Sequence, residues 1–138
     1  MLRETAELVR FRLETIRFAG EANPLSILAY FPRGCCKVAS LVYLYYLREY
    51  RKVEPQLLYL VANAQITEGY SHAWARVGTF HIDLTGDQFG KEKIVISYGS
   101  PWLDVYDEPN EYPLATAVGK DYERKLAKVC QYINQNDL

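Results

Sequence analysis

"SHAWARVGTFHIDLT", Ser71 to Thr85, decides how this chain folds. Two alternating runs, "HAWARV" and "FHIDLT", flank the dipeptide Gly78-Thr79. A two-residue loop that begins with glycine favours a type II′ hairpin turn. That turn sets Val77 opposite Phe80, Arg76 opposite His81, Trp74 opposite Asp83 and His72 opposite Thr85. Side chains alternate across a sheet, so Ala73, Ala75, Val77, Ile82 and Leu84 share the core face. The other face carries His72, Trp74, Arg76, His81, Asp83 and Thr85. His72 and Asp83 are diagonal cross-strand neighbours there, with Cβ atoms roughly 5–8 Å apart. A carboxylate at that range can reach an imidazole, fix its tautomer and stabilise its charged form. A turn one residue longer would send the two to opposite faces.

Upstream, "FPRGCCKVASLVYLYYL" (Phe31 to Leu47) places two adjacent thiols after a Pro-x-Gly turn, at the head of a long apolar run. The spacing predicts a helix from Cys36 to Tyr50. Val38, Leu41, Val42 and Tyr45 form its inner stripe, and Leu44 and Leu47 widen that stripe over most of the surface. A helix of this kind is buried in the middle of a domain. The expected architecture is therefore α+β, a small antiparallel sheet against a central helix with Cys36 at its N-terminus. Helices at both ends of the chain flank it. The first has an apolar stripe of Ala6, Val9, Leu13, Ile16 and Ala19, with Arg and Glu opposite, and ends at Gly20 and "EANPLS". The last, "DYERKLAKVCQYI", turns Tyr122, Leu126, Val129 and Ile133 inward. "QLLYLVANA" after Pro55 and "KIVISY" read as further strands. "GSPWLDVYDEPNEYPL", with three prolines, reads as an ordered loop whose tyrosines and Trp102 are candidates for a substrate lid.

The 138 residues point to one domain spanning 1–138, with 49% hydrophobic and 24% charged residues, the balance of a soluble globular protein. A formal net charge of -1 gives no reason to expect nucleic acid or an anionic membrane as partner. Basic residues concentrate in the first third and acidic ones in the middle, as two solvated faces would. Three cysteines, two of them adjacent, make a poor disulfide framework and suit a reducing cytoplasm. The N-terminus is too charged for a signal peptide, and no apolar run is long enough for a membrane span. A secreted effector exported without a signal peptide would look the same.

A thiol at a helix N-terminus beside an imidazolium is favoured as thiolate. Cys36 has both features if His72 packs on the first turn, and the open N–H groups of that turn are donors for an oxyanion. The pieces "GCCKVAS", "SHAW" and "HIDLTGDQF", in Cys, His, Asp order over about a third of the chain, resemble the core of the papain-like and transglutaminase-like cysteine hydrolases. The resemblance implies Cys36 as nucleophile, His72 as general base and Asp83 as the residue orienting it. It also implies amide chemistry on a protein or peptide substrate and no cofactor. Lys37 and Val38 depart from the small or acidic residues frequent after the cysteine in relatives, which keeps a catalytically inactive binding or immunity module in view. "HIDLTGDQF" also faintly resembles arylamine acetyltransferases, which need additional domains.

Cys35 is the rival thiol. The Gly-x-Cys and Cys-x-x-x-Ser spacings favour Cys36 as nucleophile, with Cys35 packing or resolving an oxidised Cys36 in a redox-responsive protein. Gln88 is a candidate oxyanion donor or a turn cap with Asp87. Trp74 is a cleft wall or plain packing, His81 a surface residue beside the turn, and Cys130 a small hydrophobe on the last helix. Cys35, Cys36, His72 and His81 lack the ligand spacing of a metal site.

Overall fold

Ten consecutive residues of helix α2 (Cys36–Tyr50), from Val38 to Leu47, are buried. Valine and tyrosine are mediocre helix formers, each giving up roughly half a kcal/mol against alanine. Full burial of a large apolar side chain is worth about 1.5–3 kcal/mol, so packing rather than propensity holds this helix. Its tyrosines reach out at both ends. Tyr43 donates its hydroxyl hydrogen to the carbonyl of Leu2, 3.0 Å away, and Tyr46 donates to Asn134 at 3.2 Å.

The computed structural model describes residues 1–53, 57–63, 71–99 and 110–135. Helix α1 (Leu2–Thr15) packs on α2 and is followed by three short 3-10 turns, at Ile16–Phe18, Gly20–Ala22 and Ser26–Tyr30. Five strands follow: β1 (Leu57–Asn63), β2 (Ser71–Val77), β3 (Phe80–Asp83), β4 (Val95–Ser97) and β5 (Asn110–Pro113). They form one antiparallel sheet in the order β4-β3-β2-β1-β5. A one-turn helix α3 (Leu114–Ala117) and helix α4 (Lys120–Gln135) close the chain. One hydrophobic cluster runs from Ala6 of α1 through α2 and Ala73, Ala75, Ile82 and Leu84 of the hairpin to Ile133 of α4. The class is α+β, with β1 and β2 against α2 and helices at both ends. No helix of the described residues is long and apolar enough to cross a membrane.

The hairpin has the register expected of its two-residue turn. Val77 pairs with Phe80, Arg76 with His81 and Ala75 with Ile82, and Gly78 takes φ +60°. A positive φ at that position is what the type II′ turn requires of a glycine. Two elements differ from expectation. Helix α1 gives way to a 3-10 turn at Ile16 rather than running to Ala19. Part of the segment read as a loop is structured, because Asn110–Pro113 pairs along β1 and Leu114–Ala117 turns helical. The edge of β1 offers a row of backbone donors and acceptors, and proline is tolerated on an edge strand. Trp102 and Tyr106 of the expected lid lie outside the described residues, while Tyr112 stands in β5 and Tyr98 is exposed just after β4.

Candidate active site

Because β2 and β3 keep their parity, His72 and Asp83 meet. The His72 Nε2–H donates to Asp83 Oδ2 across 2.5 Å, between side chains 0% and 1% exposed. The other carboxylate oxygen, Oδ1, accepts from the Thr85 backbone N–H at 2.9 Å and from its hydroxyl at 3.3 Å. Asp83 is therefore held from both sides, and its charge has one direction in which to act. Thr85, expected only to share the face, is the residue that orients the acid.

The Cys36 sulfur lies close enough to the imidazole to bear on its charge. Burial lowers its pKa most strongly of any single cause, but the hydrogen bonds and charges of Asp83 and Cys36 together outweigh burial and push it up to about 9. A pKa of about 9 keeps this enclosed ring protonated at neutral pH, with its Nε2–H held by the acid. Trp74 packs beside it with ring centroids 5.8 Å apart. Trp74 is completely buried and donates its indole N–H to Nδ1 of His81 at 2.9 Å. It backs the histidine from inside, away from solvent. His81 is half-buried, and burial followed by the Arg76 charge lowers its pKa, in keeping with its role as acceptor.

Cys36 is the first residue of α2 and is partly exposed, while Cys35 occupies the cap position and is wholly buried. The Cys35 thiol donates to the carbonyls of Ile27 and Arg33, at 3.3 and 3.2 Å. Burial, then the neighbouring Cys36 charge, pushes it up to about 11. The two adjacent thiols thus have opposite surroundings, one fastened to the interior and one facing the histidine. Cys130 is buried against α2, its thiol directed at the Val42 carbonyl, and burial pushes it up as well. No side chain caps the first turn of α2 and no acidic residue lies in it. The N–H groups there face no competing carboxylate of their own turn. Ser40 donates to the Cys36 carbonyl at 2.7 Å, within the helix.

Gln88 makes a contact beyond those expected of it. Its Oε1 accepts the Gly34 N–H at 3.3 Å, tying the turn after β3 to the loop before the cysteines. That bond leaves the amide NH₂ as an uncommitted donor beside the thiol loop.

Arg10 is the residue that sequence patterning misplaced. It belongs to the charged side of α1 by composition, yet it is only 4% exposed. Its guanidinium takes both oxygens of Asp87 at 2.9 and 2.8 Å, donates to the Leu84 carbonyl at 2.9 Å and lies 4.8 Å above the Phe31 ring. One side chain thus joins α1 to the turn carrying Gln88 and to the loop carrying the thiols. Its spacing held a signal: Arg10 stands four residues after Ala6 and three before Leu13, on the apolar stripe itself.

Gly86 opens the 3-10 turn Gly86–Phe89 that holds Asp87 and Gln88. A Cβ there would run into the Glu92 carbonyl oxygen and reach Val95 Cγ2 at 3.0 Å. Gly86→Ala is expected to destabilise the chain by about 2 kcal/mol or more, as overpacking against backbone does. Urea unfolding with an unchanged m-value checks it, and a neutral result would mean that the turn yields freely.

Among the described residues, no group of three or more His, Cys, Asp or Glu is placed to hold a metal ion. No protein-family model, curated protein or solved structure matches the chain.

Proposed function

We propose that this chain is a cysteine-dependent hydrolase or acyltransferase acting on an amide bond of a protein or peptide, with Cys36, His72 and Asp83 as its triad. The observation that carries this is the buried hydrogen bond between His72 and Asp83, with Cys36 at the N-terminus of α2 near enough to influence the ring. The resemblance of "GCCKVAS", "SHAW" and "HIDLTGDQF" to the papain-like and transglutaminase-like hydrolases supports the same roles.

The Cys36 thiolate attacks the acyl carbon, and the carbonyl oxygen becomes an oxyanion facing the first-turn N–H groups of α2. His72 gives its proton to the departing nitrogen, the C–N bond breaks and a thioester remains on Cys36. The now neutral ring takes a proton from water or from an incoming amine, which attacks the thioester. Carboxylic acid or new amide leaves, and the thiolate–imidazolium pair is restored. Asp83 stays ionised throughout and stabilises the charged ring. Peptide cleavage, glutamine deamidation and transamidation share these steps, differing in the acyl group and in the nucleophile that releases it.

Alkylation by iodoacetamide followed by peptide mapping tests the reading. Cys36 is expected to be modified first at pH 6, at a rate that stays level below pH 7, with Cys35 and Cys130 protected by burial. Fast modification of Cys35 alone would reassign the nucleophile. A Cys36 rate that climbs like that of a free thiol, near about pH 8.5, would leave a non-catalytic binding module.

A further inference from the structure

An open pocket of about 440 Å³ lies beside the thiol loop, lined by Tyr30, Phe31, Pro32, Arg33 and Gln88. Its backbone is tied by turn hydrogen bonds. Arg33 N–H donates to the Tyr30 carbonyl at 2.9 Å, and the Cys35 N–H to the Pro32 carbonyl at 3.1 Å. Gln88 is anchored through its oxygen to Gly34, which leaves its NH₂ to donate to an occupant. The Phe31 ring is held from behind by Arg10.

The polar character of this pocket is one-sided. Arg33 is exposed, and no carboxylate of the described residues pairs with it, whereas Arg10, Arg48, Arg76 and Arg124 each hold one; Arg12 and Arg17 lie over the rings of Phe11 and Phe18 instead. The nearest acid in sequence to the pocket wall, Asp87, has both oxygens committed to Arg10. Arg33 and Gln88 both line this cavity, which has no acidic lining residue, and a guanidinium and an amide NH₂ together complement a carboxylate. Tyr30, 68% exposed, adds an aromatic surface at the rim.

We infer that this pocket is the substrate subsite of the Cys36 centre and selects acyl substrates bearing a carboxylate, held between the Arg33 guanidinium and the Gln88 amide. Arg33 lies three residues before Cys36, in the loop that leads into α2. The inference rests on the thiol chemistry proposed for Cys36.

Paired alkylating reagents test it without a known substrate. Iodoacetate carries the carboxylate and iodoacetamide does not, so the ratio of their second-order rates at Cys36 reads the subsite directly. In the wild-type chain this ratio should exceed that of free cysteine by about tenfold, as charge-assisted hydrogen bonds at an accessible site supply. Arg33→Gln should remove most of that excess and Arg33→Lys only part of it. Lys37→Gln removes an equal charge from the exposed first turn of α2 and should change the ratio less than twofold, since a diffuse positive field is largely screened. A ratio insensitive to Arg33, or lowered equally by Lys37→Gln, overturns the subsite. If Cys36 still reacts fast in that event, the triad stands. Slow alkylation of Cys36 by both reagents removes the triad and the subsite together.

Discussion

Asp83→Ala is expected to lower stability by about 3–5 kcal/mol at pH 7 and to abolish rapid alkylation of Cys36 at pH 6. The carboxylate is 1% exposed and accepts three hydrogen bonds, one from His72 and two from Thr85. Alanine leaves the Thr85 donors without that acceptor in a buried place, which costs about 1–3 kcal/mol. It also strips the imidazolium of its counter-charge, and the enclosed ring must then shed its proton. Breaking a buried pair by removing one partner typically costs about 3–5 kcal/mol, a large share of the roughly 5–15 kcal/mol that holds a domain of this size. The melting temperature should fall by about 10 °C or more. Asp83→Asn separates the two effects. Its amide oxygen can still accept from Thr85, so the stability loss should be smaller, while the neutral side chain no longer favours a charged His72 and the fast alkylation should still vanish. Wild-type alkylation kinetics in Asp83→Asn would show that the acid has a structural role only.

The hairpin was legible in the sequence because its two determinants are local. Gly78 dictates the turn, the turn dictates the register, and a period of two then places His72 and Asp83 on one face. The boundaries of α2 were legible for a similar reason, since the Pro-x-Gly turn ends where the apolar run begins. What escaped was non-local. Strand β5 is polar and ends in proline, so it has no period of its own and is ordered by the edge of β1. Arg10 looks like any surface arginine until Asp87, Leu84 and Phe31 converge on it from elements remote in sequence. Cys35 and Cys36 are adjacent and chemically identical, and only the carbonyls of Ile27 and Arg33 on one side and His72 on the other tell them apart.

The two histidines of the chain should titrate in opposite directions from their ordinary value near 6.5, His72 at about 9 and His81 below it. With only two rings, their Cε1–H signals in a pH series are assigned by a single His81→Gln variant, and a His72 midpoint at or below 6.5 would remove the charged ring on which the mechanism depends. The shift has a consequence for folding. A base whose folded pKa is raised contributes stability that is whole below the unfolded value, 6.5, and is lost as pH rises through about 9. Taken alone, His72 therefore contributes up to about 3 kcal/mol at the acid end of that window. The sulfur decides whether the loss is visible. If Cys36 is neutral in the folded chain, the native pair holds two protons between pH 6.5 and about 8.5 while the unfolded chain holds one on its thiol. Stability then falls by about 1.4 kcal/mol per pH unit. If Cys36 is ionised, the native pair holds one proton and the unfolded chain also holds one, so stability stays level until the unfolded thiol ionises near about 8.5. Urea unfolding at pH 6.5, 7.5 and 8.5 distinguishes the two, below the range in which the buried Cys35 thiol, raised to about 11, adds its own alkaline destabilisation. The triad requires the level profile; a steady decline would mean a protonated sulfur beside a charged ring, and no nucleophile at neutral pH.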